Sequence, residues 1–189
     1  MAERTPLPSA LFNSQIDALR DAGRLGPVLD LACGRGRHAV PAVRAGLPLI
    51  GVDRSAQFLS ELRARAEALG EDIPCLRTDL EREGGLPFRE GSAGAVLVFR
   101  YLHRPLCERI SALLAPGGLL VYETFTEAQR SFPHGPNRPE FLLRLGELPE
   151  LFTGLEVESY EEIQTASPRP EAVARLVARK PRPPEHDES

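Results

Sequence analysis

The segment DLACGRGRHAV, residues 30–40, gathers the residue types of a small-ligand site. An apolar run, PVLDL, leads into Gly34 and Gly36, and a helix-like stretch follows. Glycines so placed let the backbone pass close to a ligand. The next helix offers unpaired N–H groups and a partial positive end. Asp53 ends a second apolar run about 20 residues on, where a carboxylate can accept from ribose hydroxyls. The dinucleotide pattern GxGxxG is incomplete: counted from Gly34 it ends at Ala39, and counted from position 32 it reads Ala32, Gly34, Arg37. No GK[ST] occurs, which excludes a P-loop. Asp30 and Asp79 point to the same crevice, and carboxylates repel a pyrophosphate but attract a cation. The pattern therefore favours a ligand with a ribose and cationic groups over a dinucleotide.

These residues need a scaffold. Ser9 caps an expected helix over about 9–22, and a core starts near 27. Apolar strands are expected at PVLDLAC, 47–53, 73–79, 93–99 and 118–125. Helices are expected at about 37–45, 55–70 and 105–114, with a short one near 139–145. LEVESYEEIQ, 155–164, alternates like an edge strand, and 172–180 reads as its antiparallel partner. Continuous apolar strands alternating with helices imply an α/β, doubly wound, mostly parallel seven-stranded sheet closed by a C-terminal antiparallel hairpin. Ligands of such sheets bind beyond the carboxyl ends of the strands. A single domain over 1–180 is expected, with a disordered tail at 181–189, where PRPPEHDES has no apolar residue.

Composition narrows the function. Net charge is −4, Lys180 is the only lysine, and the arginines are dispersed among acids, so no nucleic-acid partner is expected. No apolar run approaches the roughly 20 residues of a membrane span, and the N-terminus has no signal-peptide core. A cytoplasmic protein with no membrane partner is the expectation. Cys33, Cys75 and Cys107 are far apart and fit reduced thiols. No His, Cys or carboxylate spacing suggests a metal.

VLDLACGRG, GVDRS, RTDL and LAPGGLLVYE together, in this order over about residues 27–125, resemble the motifs of the class I SAM-dependent methyltransferases. The resemblance implies a Rossmann-like fold with S-adenosyl-L-methionine (SAM) as cofactor and S-adenosyl-L-homocysteine (SAH) as product. It places Gly34 and Gly36 under the methionine part and Asp30 near its ammonium. It gives Asp53 the ribose hydroxyls, puts Arg54 beside the adenine, and assigns the adenine amino group to Asp79 and a backbone N–H contact to Leu80. Ala32 stands where the family usually has its first glycine. FRYLHRPL, YETFTEAQ and PNRPEFLLRLGEL resemble a bacterial branch related to tellurite-resistance methyltransferases.

Residues after the fourth and fifth strands should face the transferred methyl. His103 is a candidate base near neutral pH, with Tyr101 and Glu123 as further catalytic candidates. Arg100 is expected to hold the SAM carboxylate or an anionic substrate. Arg104, Phe125, His134 and Asn137 are expected to contact the substrate, a small molecule with an anionic group or a soft nucleophile. The proline-rich loop 126–139 is a candidate lid. Two other readings stay open: a methyltransferase-like protein that binds SAM or SAH without turnover, and a nicotinamide-dependent oxidoreductase.

Overall fold

The apolar runs form seven strands: β1 (Val28–Leu31), β2 (Leu49–Asp53), β3 (Cys75–Arg77), β4 (Ala93–Phe99), β5 (Leu114–Phe125), β6 (Glu156–Thr165) and β7 (Glu171–Arg179). The computed structural model describes residues 7–166 and 169–183. Within them the strands make one sheet in the order β3-β2-β1-β4-β5-β7-β6. The first five pair in parallel, while β7 pairs antiparallel with both β5 and β6. The order reverses between β1 and β4, and a crevice forms there at the carboxyl ends.

Both faces of the sheet are buried, which is why its central strands lack alternation. Val96, Val98, Leu120 and Tyr122 pack into one core with Ile110 and Phe152. Their neighbours Ala95, Leu97, Leu119 and Val121 pack into the other with Phe12, Leu19 and Leu62. Successive side chains point to opposite faces, so one strand feeds both cores. The edge strand β6 is mostly exposed and carries Glu156, Glu158, Glu161 and Glu162, charges that discourage further strand pairing.

The helices are α1 (Ala10–Ser14), α2 (Ile16–Ala22), α3 (Ala39–Arg44), α4 (Ala56–Glu67), α5 (Cys107–Leu113) and α6 (Glu147–Glu150). The expected helix over 9–22 is split at Gln15. The helix after the glycine turn starts at Ala39, so Pro41 sits in its first turn, where a missing N–H leaves no bond unmade. The third strand is shorter than expected, and β5 begins at Leu114, with an irregular register opposite Ala93 and Ala95. The expected helix at 139–145 is instead a 3-10 turn, Pro139–Phe141, and α6 follows it. Residues 184–189 of the expected disordered tail lie outside the described residues. No helix among the described residues is long and apolar enough to cross a membrane.

Candidate active site

The glycine turn is held by the second strand. Asp53 ends β2; its Oδ2 accepts from the Gly34 N–H at 2.9 Å and its Oδ1 from the Ser55 N–H at 2.8 Å. Gly34 and Gly36 adopt φ of +54° and +76°. A Cβ on Gly36 would sit 2.2 Å from Leu62 Cδ1, so close packing of the turn on α4 also demands glycine there. Ala32 adopts φ +54° and Arg100 φ +57°, left-handed conformations that are costly for residues with a Cβ. Both line the crevice, where such strain tends to collect.

A cavity of about 390 Å3 opens at the carboxyl ends of β1 to β5, within the roughly 300–1,000 Å3 of small-molecule sites. Asp53, Arg54, Asp79 and Leu80 line it on the side of β2 and β3. Arg100, Tyr101 and Phe125 line it after β4 and β5. The Tyr101 hydroxyl is buried with no partner among the described residues. Burial, with the nearby Glu81 and Asp79 carboxylates, pushes that phenol up, so it stays a donor rather than a base. The candidate lid contributes Pro136, and the 3-10 turn after it contributes Phe141.

A small cavity of about 60 Å3 lies between Asp30, Ala32, Cys33, Arg37, His38, Phe99 and Arg100. Asp30 is 2% exposed, and its Oδ2 has no hydrogen-bond partner among the described residues. Burial, and then the Asp53 charge, push its carboxyl up to about 8. An unpaired buried carboxyl is expensive, and a cationic ligand group would relieve it. The Asp30 carboxyl together with the Arg100 guanidinium is the complement of an α-amino acid, whose ammonium and carboxylate are adjacent. The donor set thus fits the amino-acid end of SAM. His38 stacks on Phe99 with ring centroids 3.8 Å apart, and its Nε2 accepts from the Ser9 N–H at 3.2 Å. Burial, then the Arg37 and Arg100 charges, bring it down to about 3, so this histidine is a neutral structural element.

Several expected site residues stand elsewhere. Glu123 is buried, and its Oε2 accepts from Ser9 Oγ and from Arg175 Nε, each at 2.7 Å. That carboxylate anchors the start of α1 to β7 and does not line the main cavity. His103 lines a separate cavity with Leu86 and Arg109. Arg104 makes a two-pronged pair with Glu147, at 2.6 and 2.9 Å, and donates to the Glu140 and Leu142 carbonyls. Its donors are committed to the chain itself. His134 Nε2 donates to the Pro170 carbonyl at 2.7 Å, and Asn137 is exposed outside the cavity lining. Each departure has one reason: sequence places a residue near a strand end, whereas its neighbours decide where the side chain goes. Accordingly, His103→Ala is expected to leave turnover within about twofold of wild type. A loss of a hundredfold or more in kcat would restore it as a base.

Sequence reasoning does not mark Phe58, which lines the cavity with Arg35 4.5 Å above its ring. Nor does it mark Arg37, or the bond from Ser9 Oγ to Glu123 that adds to the expected capping by Ser9. No spacing signal marks these residues, because their partners lie far along the chain.

Residues 28–118 match the family described as "Methyltransferase domain". The chain is similar to the ubiquinone biosynthesis O-methyltransferase of Nitrobacter winogradskyi, 29% identical over 122 residues, covering 62% of this chain and 45% of that protein. The protein of the same description from Dinoroseobacter shibae is 28% identical over 119 residues, covering 62% and 48%. The chain spans about half the length of these relatives. TehB from Haemophilus influenzae shares the fold with a TM-score of 0.69 at 18% identity, covering 89% of this chain and 62% of that one. An S-adenosylmethionine-dependent methyltransferase from Mesorhizobium loti does so with a TM-score of 0.67 at 20% identity, covering 91% and 99%. Residues 28–118 thus match a methyltransferase domain, and the sheet, closed by its antiparallel β7 and β6, has the fold of these SAM-dependent methyltransferase structures.

Proposed function

We propose that the protein transfers the methyl group of SAM to a small-molecule acceptor. The observation that carries this reading is the buried, unpartnered Asp30 carboxyl beside Arg37 and Arg100. Asp30 would hold the ammonium, Arg100 the carboxylate, Asp53 the ribose hydroxyls, and Asp79 with the Leu80 N–H the adenine edge. When bound, SAM supplies an electrophilic methyl on a sulfonium, so that one C–S bond breaks as the acceptor forms its new bond. The chain's task is positioning and exclusion of water. Arg100 and Tyr101 sit at the end of β4 and Phe125 at the end of β5, walling the region where the acceptor meets the methyl. Phe141, held by the Arg104 contacts to Glu140 and Leu142, covers it.

The test is calorimetric titration with SAM, SAH and NADH. Micromolar binding of SAM and SAH without NADH supports the reading, whereas NADH binding alone would point to hydride chemistry and overturn it. Binding of both cofactor forms with no transfer to any thiol, selenite or phenol acceptor would favour a non-catalytic binder. In the same assay Asp53→Ala should weaken SAM about 10- to 100-fold, since it removes the acceptor for the ribose and for two backbone N–H groups. Unchanged affinity would remove Asp53 from the site.

A further inference from the structure

A second cavity, of about 450 Å3, shares Arg100 with the main one. The segment Leu7–Ala10 forms one wall, and Glu123, Val173 and Arg175 line it from β5 and β7. Three contacts hold that wall in place: Ser9 N–H to His38, Ser9 Oγ to Glu123, and Arg37 Nε to the Leu7 carbonyl at 2.6 Å. The lining of the cavity is net positive. Arg37, Arg100, Arg169 and Arg175 face it, against Glu123 and Glu171. Glu123 is taken by Arg175 at 2.7 Å and Glu171 by Arg100 at 2.6 Å. Glu161, which is more exposed, also meets Arg175 at 3.0 Å. Among the described residues Arg37 and Arg169 have no carboxylate partner, and Arg37 Nη1 is buried without a hydrogen-bond partner. A buried donor on a cation is costly unless an anion joins it. Leu7, Pro8 and Val173 add an apolar wall.

We propose that this cavity, joined to the main one at Arg100, seats the anionic group of a small acceptor, a carboxylate or another oxyanion. Guanidiniums suit such groups because their planar donors match two oxygens at once. Arg100 links the compartments, so an anion seated here lies against the residue that follows β4 and walls the main cavity. The proposal rests on the methyl-transfer reading for the word "acceptor", but the anion site can be measured independently of it.

The experiment titrates the protein, with and without saturating SAH, with benzoate, with selenite and with the neutral benzamide. The expected result is that benzoate, selenite or both bind at least about tenfold tighter than benzamide, with SAH present. Benzoate above selenite would identify an organic anion, and the reverse an inorganic one. Arg169→Met, an exposed position, should weaken anion binding about tenfold while SAH affinity holds within twofold, and Arg37→Met with Arg169→Met should abolish it. Three results overturn the proposal: no anion bound in either state, benzamide bound as tightly as benzoate, or anion affinity untouched by both variants. Anion binding that SAH abolishes also overturns it, by assigning these arginines to the cofactor's own carboxylate. A protein that binds no SAH would sink the methyl-transfer reading, while the titration without SAH still decides the anion site.

Discussion

Asp30→Asn is expected to stabilise the ligand-free protein and to weaken its binding of SAM. In the folded protein the Asp30 carboxyl is raised to about 8, by burial and then by Asp53. Unfolded, it titrates near 3.8, so at neutral pH the folded state binds a proton that the unfolded state has lost. Wild-type stability should therefore fall as pH rises from about 4 to about 8, by on the order of 4 kcal/mol from this group at pH 7. Asparagine removes the ionisation linkage but keeps a polar group to bury. A net gain of about 2 kcal/mol, or a rise of roughly 4–8 °C in Tm, is expected for the variant. The opposite holds for the ligand. A cationic ammonium favours the carboxylate, so SAM binding should release a proton and tighten from about pH 6 to about pH 7. Calorimetry in two buffers of different ionisation enthalpy reads that proton directly. In Asp30→Asn the proton release and the pH dependence should vanish and affinity should drop about tenfold or more. A variant with unchanged Tm and unchanged SAM affinity would refute both roles of Asp30.

Glu147→Gln is expected to be the most destabilising of the substitutions considered. Glu147 is 3% exposed and accepts from Arg104 Nε and Nη2 and from the Arg144 N–H at 2.8 Å. The Arg104 hydrogen bonds outweigh burial and bring the carboxyl down to about 2. Its folded value is depressed, so the stabilisation is complete above the ordinary value of 4.5 and is lost as pH falls through about 2. The linkage amounts to about 3 kcal/mol at neutral pH. The glutamine variant leaves the Arg104 guanidinium, itself two-thirds buried, without its counter-charge. Tm should fall by roughly 6–12 °C at pH 7. The gap to wild type should narrow below about pH 4, because acid protonates the wild-type carboxyl as well. The same pair fixes the segment carrying Phe141, so KM for the acceptor should rise with kcat less affected. A Tm within 2 °C of wild type would show that the pair contributes no more than a surface ion pair does.

The sequence by itself determined the scaffold and the face that carries the glycine turn and its carboxylates. Unbroken apolar runs at β1, β2, β4 and β5 can be buried only in a sheet covered on both sides, which leaves few topologies open. Gly34, Gly36, Asp53 and Asp79 are legible because a glycine turn and a carboxylate after a strand act through local backbone geometry. Tertiary structure alone decided the arrangement of side chains beyond β4 and β5. Whether Glu123 faces a substrate or an arginine depends on Ser9 and Arg175, residues 114 and 52 positions away. Arg104 likewise belongs to Glu147, 43 residues on, and not to a ligand. The charged cavity exists only because the segment Leu7–Ala10 folds against β5 and β7. Backbone periodicity is written within a few residues of each position, whereas side-chain charge pairing is settled among groups that only folding brings together.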